Sequence, residues 1–445
     1  MAYRIETDSL GQVKVPQDAY YGPQTQRAVE NFPVSDLRLQ PKFIWAQGVI
    51  KKAAALANMD ATRLDRKIGE AIVTAAEEVI SGKFNDQFVV DVYQAGAGTS
   101  QNMNANEVIA NRAIEILGGA RGDYQLIHPN DHVNMAQSTN DTIHTAIHIA
   151  ALAAIEPDLL DSLKGLADAL SDKAEAFDPI IKSGRTHLQD ATPIRLGQEF
   201  SGYASMIDHG ITRVQVATDA IKELNIGGTA VGTGINADPE YARRMINYIN
   251  EITGLDFRPV ENAFEGMQNT DAIVELSGAL RTVATSLIKI ADDLRLLSSG
   301  PRTGLNEINL PAVQPGSSIM PGKVNPVVAE MMNMICYQVM GNDMTVVRAG
   351  QAGQLELNVM MPVIGYNILH AIKILTNGVQ TFTERCIKGI TANESVCEAY
   401  AERSLSIVTA LSPHIGYLEA ARLAKQALDE DRPIREVVLE ETSLS

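Results

Sequence analysis

Between residues 260 and 300 the chain contains no proline. In that stretch Leu276, Leu280, Val283, Leu287, Ile290 and Leu294 step by 4, 3, 4, 3 and 4. A period near 3.5 is the seam of a helix packed along its whole length against other helices. The stretch predicts one helix of roughly 35 residues, about 50 Å long. Leu159, Leu163, Leu166 and Leu170 repeat the pattern, as do Phe200, Tyr203, Ile207, Ile211 and Val214, and a fourth segment runs from Val327 towards Met361. Helices of this length exceed the usual globular range. Their apolar stripes call for more partners than one chain supplies, so an oligomeric bundle is expected. A two-helix arm without a partner is the alternative.

The charge balance narrows the function classes. The chain carries 37 Lys and Arg against 54 Asp and Glu, a formal charge of −17. That argues against nucleic-acid binding and against docking on anionic membranes. It leaves room for an anionic small molecule, because a site can be positive within an acidic protein. Trp45 is the only tryptophan, so aliphatic side chains and methionine must build the core. Cys336, Cys386 and Cys397 form neither a disulfide framework nor a metal-ligand spacing. The first residues lack an apolar signal core, and no run of 18 apolar residues occurs. A cytoplasmic protein with no membrane-spanning helix is the expectation. The first 40 residues, rich in Pro, Gly and Tyr, are expected to wrap a surface. Residues 43–118 read as helices broken by loops, and 119–145 as polar and irregular. No internal repeat is evident.

Four polar stretches carry the chemistry: Gly96-Ala97-Gly98-Thr99-Ser100, Gln137-Ser138-Thr139-Asn140-Asp141, Gly184-Arg185-Thr186-His187, and Pro315 to Pro326, which holds Ser317, Ser318, Lys323 and Asn325. Hydroxyls, amides and exposed backbone N–H groups are the donors that a small dicarboxylate needs. Two of these stretches sit at predicted helix starts, where N–H groups favour anions. Each also has a plain reading. GAGTS makes a turn, STND caps a helix, and His187 is a satisfied core histidine. The last stretch resists such a reading, since glycines at both ends of a Ser- and Lys-bearing loop suggest a mobile lid. No nucleophile elbow, zinc-protease helix, P-loop or dinucleotide fingerprint is present. The glycines of GGTAVGTG at 227–234 follow a helix, and are read as a loop reversing between long helices.

The string GSSIMPGKVNP at 316–326 resembles the signature of the fumarase/aspartase superfamily. NMNANEVIANR, HPNDHVN, GRTHLQDATP, LGQEFSGY, GGTAVGTG and SGPRTGLNEINLP resemble the same family in the same order. The resemblance runs from YYGPQTQRAVENF at 20–32 to ITANESVCEAY at 390–400. It implies a mostly α, three-domain fold: an N-terminal domain over 1–140, a central long five-helix bundle over 141–394, and a small C-terminal helical domain over 395–445. The chain stops at Ser445, before the family's usual end, so that last domain is expected to be incomplete. The family packs four such chains into a homotetramer with a 20-helix core and active sites shared between subunits.

The implied chemistry is reversible elimination from a succinyl-type substrate to give fumarate. A base removes a Cβ proton and leaves an aci-carboxylate that needs strong electrostatic stabilisation. By resemblance the catalytic residues are Ser317 as base, and His187 paired with Glu330. Lys323 and Asn325 hold a substrate carboxylate. Thr99, Ser138 and Thr139 donate to carboxylate oxygens, with Ser100 and Ser318 beside them. Asn140, Thr186 and His187 surround the leaving group. His128, Asn130, Asp131 and His132 resemble the accessory dicarboxylate site of fumarases, or form only a polar loop. No metal site and no required cofactor are implied, and the sequence is silent on activation by a divalent cation.

Within the family, GAGTSQNMN, QSTND, DLRLLSSGPRTGLNEINLP and GQLELNV favour elimination of ammonia from L-aspartate. HPNDHVN and TALSPHIGY lean towards hydration of fumarate, which is kept as the alternative. Thr142-Ile143-His144-Thr145 departs from the usual aromatic–Pro–Thr pattern and opens the question of a shifted substrate. Two readings from other classes are weaker: a non-catalytic helical scaffold that binds carboxylates, and a dehydrogenase resting only on the 227–234 glycines.

Overall fold

A computed structural model describes residues 2–443. The chain opens with a hairpin, β1 (Tyr3–Asp8) and β2 (Gly11–Pro16), in antiparallel register from Tyr3 opposite Pro16 to Asp8 opposite Gly11. Four helices follow: α1 (Pro23–Asn31), α2 (Pro41–Asp60), α3 (Arg66–Ile80) and α4 (Thr99–Ile116). Next come α5 (Thr139–Ala154) and α6 (Leu160–Phe177). A second hairpin, β3 (Ile181–Thr186) and β4 (Gln189–Arg195), leads into α7 (Leu196–Ala220). Beyond lie the short strand β5 (Glu223–Leu224), α8 (Tyr241–Thr253), its parallel partner β6 (Arg258–Pro259), α9 (Ala263–Gln268) and α10 (Asp271–Leu297). The last third contains β7 (Ile308–Asn309), α11 (Val327–Gly350), α12 (Met361–Arg385), β8 (Thr391–Ala392), α13 (Glu394–Arg403), α14 (Ser412–Ile415), α15 (Tyr417–Asp429) and α16 (Ile434–Glu441). The expected mostly α class is what the chain adopts. The N-terminal hairpin was not legible from composition.

The chain divides into two compact units. One comprises Met1–Leu160, Thr212–Thr282 and Gln338–Leu375; the other comprises Asp161–Ile211, Val283–Tyr337 and Thr376–Ser445. In the first, α2 packs on α3, α5 and α8, and α3 packs on α4. Ile72, Ala75, Ala76 and Val79 of α3 meet Ala105, Val108, Ile109 and Ala113 of α4 in a core with many alanines, which lets these helices approach closely. In the second, α15 and α16 enclose a small C-terminal core around Leu423 and Val437.

The seam on α10 is as the spacing predicts: Leu276, Leu280, Val283, Leu287, Ile290 and Leu294 are all buried. The helix itself is shorter than expected, 27 residues or about 40 Å. Asn262 accepts hydrogen bonds from the amides of Phe264 and Glu265, starting the separate short helix α9. Asn269 is extended and takes the Thr270 N–H on its own side chain. Short polar side chains that bond to nearby backbone interrupt a helix as effectively as proline.

The stretch Thr139–Phe177 is long and apolar enough, by length and mean hydropathy, to cross a bilayer, although it holds no unbroken run of 18 apolar residues. Most of its apolar window is buried within the protein, so the interior accounts for that apolarity.

Removing the centre of the α10 seam tests its weight. Leu287→Ala is expected to destabilise the protein by about 2–5 kcal/mol, read as a lowered denaturation midpoint. A change below 1 kcal/mol would mean that the seam collapses around the gap.

Candidate active site

In the first unit two helix starts present the expected donors. Ala97 and Gly98 take left-handed backbone angles, φ 61° and 83°, and turn the chain into α4 at Thr99. The Ala97 N–H donates to the Val359 carbonyl at 2.7 Å, which anchors GAGTS to the end of GQLELNV. Thr99 is exposed and Ser100 is buried. The turn reading and the site reading of this stretch therefore coexist.

Ser138 caps α5. Its Oγ accepts from the Asn140 amide, and Asp141 returns a bond to the Ser138 N–H at 2.9 Å, completing a capping box. The second oxygen of Asp141 accepts from Gly227 and Thr229, each at 3.0 Å. The 227–234 glycines thus form a loop tied to the start of α5. At Gly227, where φ is +94°, an added Cβ would lie 2.7 Å from the Ala242 side chain. This loop leads from α7 and β5 into the 13-residue α8, so only one of the helices it joins is long. Burial pushes Asp141 up to about 7 against the pull of these amide donors.

Asn140 donates its side-chain N–H to the Ala230 carbonyl at 2.8 Å. That fixes the amide, leaving Oδ1 as the available acceptor. Thr139 Oγ1 accepts from Asn102 Nδ2 at 3.2 Å.

Behind these residues lies a group that sequence reasoning missed. The Lys51 ammonium is buried and donates to Asn102 Oδ1 at 2.9 Å, Asn134 Oδ1 at 3.0 Å and Gln137 Oε1 at 2.9 Å. Burial pulls Lys51 down to about 7. The available signal was a lysine one turn before Ala55 and one turn after Gln47, on the face of α2 that also carries Ile44 and Gly48.

His128 caps the π-helical turn Pro129–Val133, which holds Asn130, Asp131 and His132. His128 Nδ1 accepts from the Asn130 and Asp131 amides, and His132 Nδ1 accepts from the His128 N–H at 2.8 Å. Both rings thereby act as acceptors at Nδ1. Burial lowers His132.

In the second unit, Thr186 and His187 sit at the tip of the β3–β4 hairpin. His187 and Leu188 both have positive φ, 56° and 60°, the signs of a type I′ turn that normally takes Asn-Gly. His187 is exposed, so it is not a core histidine. The hairpin is held from below by Glu307, which is fully buried. Arg185 Nη1 reaches both Glu307 oxygens at 2.9 and 3.0 Å, and Lys182 lies 3.1 Å from Glu307 and 3.0 Å from Glu199. Glu307 and Arg185 stand in stretches that carried the resemblance, yet no role was read for them.

The Ser317 loop is closed by its own backbone. The Gly316 N–H donates to the Lys323 carbonyl at 2.7 Å, and Asn325 Nδ2 donates to the Gly316 carbonyl at 2.7 Å. A Cβ at residue 316 would meet the Lys323 oxygen at 2.6 Å, so glycine is required there. Ser317 Oγ accepts from the Ile319 and Met320 amides at 3.2 and 3.0 Å. Two N–H donors on a serine oxygen favour its alkoxide. Ser318 and Lys323 are exposed, and Asn325 is half-buried. Glu330 lies in the first turn of α11. Among the described residues, no hydrogen bond or ion pair within the chain joins Glu330 to His187, and no group of three or more His, Cys, Asp or Glu is placed to hold a metal ion.

Residues 11–341 match the family described as lyase, and residues 407–445 match the fumarase C C-terminus. The chain belongs to the fumarase/aspartase superfamily. An aspartate ammonia-lyase of Bacillus subtilis is 51% identical, the match covering 100% of this chain and 93% of that protein. A class II fumarate hydratase of Halobacterium salinarum is 54% identical, over 100% of this chain and 94% of its own. Among solved structures, a fumarate lyase:delta crystallin from Brucella melitensis bound to cobalt superposes with a TM-score of 0.96 at 50% identity, covering 100% of this chain and 96% of that one. The fold of this superfamily member is therefore that of the fumarate lyases, and its reaction class is that of a lyase. The relatives divide between two substrates at similar identity.

The Glu307 cluster generates a test. Glu307→Ala leaves Arg185 without its carboxylate and Lys182 with Glu199 alone. A loss of about 3–5 kcal/mol is expected, with faster amide exchange in β3 and β4. A loss below 1 kcal/mol would show that the hairpin is held elsewhere.

Proposed function

We propose that this chain is an aspartate ammonia-lyase, which eliminates ammonia from L-aspartate to give fumarate, reversibly. The orientation of Asn140 carries the choice. The amine of aspartate is an ammonium, which leaves as neutral ammonia once the C–N electron pair goes to nitrogen; no proton need be added. Such a group needs acceptors around it. Hydroxide from malate needs a proton donor instead. With one amide N–H on Ala230, the Asn140 amide is oriented so that it offers Oδ1, an acceptor, and an amide N–H is not a proton it can transfer. A His187 ring nitrogen and the Thr186 oxygen are placed to serve the same way.

In this reading Ser317 takes the Cβ proton, its alkoxide favoured by the Ile319 and Met320 amides. The C–H electrons move into the adjacent carboxylate, which becomes a dianionic aci-carboxylate. Thr99, Ser138 and Thr139 stand at two helix N-termini, where hydroxyl and amide donors stabilise such charge. Ser100 and Ser318 support these positions. Lys323 and Asn325 hold a carboxylate. Collapse of the aci-carboxylate expels ammonia and leaves fumarate. Departure of the Thr142–Thr145 segment from the common family pattern lies beyond the cap and leaves Ser138, Thr139 and Asn140 in place.

We also propose a homotetramer with active sites shared between subunits, in which Glu330 and His187 of different chains pair. In support, α11 exposes Met334, Tyr337 and Met344, spaced 3 and 7 along the helix, each more than half exposed. An apolar stripe of that period wants a helix against it. The assembly is expected to have about four times the 48.1 kDa chain mass by light scattering.

Fumarate absorbance, followed with L-aspartate and L-malate in parallel, tests the reading. Fumarate from aspartate is expected. Fumarate from malate alone would make this a hydratase, and activity on neither would return the carboxylate-binding scaffold. Ser317→Ala is expected to lower turnover by about 10²–10⁴-fold while succinate still binds. Unchanged turnover would remove Ser317 as the base.

A further inference from the structure

We infer that Lys51 is a positioning residue for the dicarboxylate site: its buried ammonium, held by Asn102, Asn134 and Gln137, fixes the Thr139 hydroxyl as a donor towards a substrate carboxylate. This rests on the proposed function in taking Thr139 to face substrate. Lys51 itself touches no substrate and acts through Asn102.

The argument is one of hydrogen-bond direction. An ammonium has three N–H donors and no acceptor. All three donors of Lys51 are used, on three side-chain amide oxygens at 2.9–3.0 Å. Each amide must therefore turn its oxygen to Lys51 and its NH2 away. Asn102 accordingly directs its NH2 to Asn134 Oδ1 at 3.1 Å and to Thr139 Oγ1 at 3.2 Å. Asn134 Oδ1 takes a further N–H from Asn106, and Gln137 Nε2 is occupied by the Val133 and Met135 carbonyls. No amide in the group is free to flip. Thr139 thus receives an N–H on its inner side, and its single proton is left to point outward. A carboxylate arriving there meets a donor already aimed.

The buried Asp141 carboxylate attracts the Lys51 charge, but among the described residues no carboxylate forms an ion pair with it, and replacing buried ionic groups by apolar ones often leaves a fold as stable or more so. With an apolar residue at position 51 the amides would lose their common orientation, and Thr139 could spend its proton inward on Asn102.

The test is a double-mutant cycle on the full chain, with Lys51→Met, Thr139→Val and both together. Succinate, a dicarboxylate that does not react, is the probe, and binding is measured by titration calorimetry. Each single change is expected to weaken succinate by about 10- to 100-fold, the range for a hydrogen bond to a charged group. The double variant is expected to lose less than about threefold beyond the weaker-binding single. A purely structural lysine would lower the thermal midpoint and give losses that multiply. The inference is overturned if Lys51→Met binds succinate within about threefold of the unaltered protein, or if the two losses multiply. If Lys51→Met does not fold, judged by circular dichroism, Asn102→Leu takes its place in the cycle under the same criteria. Failure of the lyase reading shows separately, as absence of fumarate from aspartate by the unaltered protein.

Discussion

One buried carboxylate organises the donor-bearing end of the first unit. Asp141 closes the capping box of α5 with one oxygen and gathers the Gly227 and Thr229 amides with the other. Four consequences follow from that single group. The helix begins at Thr139, Ser138 is held as its cap, the glycine loop is drawn against it, and Ala230 in that loop is placed to take the Asn140 amide. Without the carboxylate, the loop and the helix start would keep only the Asn140–Ala230 bond of these contacts. The energetic sense is that three backbone N–H groups offset the removal of a charge from water. That offset is incomplete, since burial still raises the group to about 7.

Much of the candidate site was legible in the sequence because its residues sit at chain reversals, where composition is informative. Small, hydroxylic and glycine-rich stretches mark helix starts and turns, and the structure puts Thr99, Ser138 and Thr139 at two of them. Gly316 was readable as a loop glycine, and the close approach of the Lys323 carbonyl explains why. The α10 seam was likewise readable in type and face. Its length was not, because Asn262 and Asn269 break the helix through side-chain-to-backbone bonds that periodicity does not register.

What escaped the sequence was everything held by long-range polar contact. Glu307 is separated from Lys182 and Arg185 by more than a hundred positions, and nothing local distinguishes it from a surface glutamate. Glu107 is similar. It accepts the Gly22, Gln24 and Thr25 amides and so seats the N-terminus of α1. Lys51 lies beside Lys52 in a run that reads as a solvated charge pair, although only the first is buried. Such groups become visible only when the fold brings their partners to them.

The turn that carries His187 has a consequence for how the protein can change. Two residues with bulky side chains occupy backbone angles that glycine and asparagine adopt at less cost. Substituting Asn-Gly there relieves that tension and removes the histidine together. Selection for heat resistance alone, acting on this chain, would find the exchange among its easiest gains and would discard the exposed imidazole with it. Persistence of His187 and Leu188 in descendants of this protein would then record a demand other than folding.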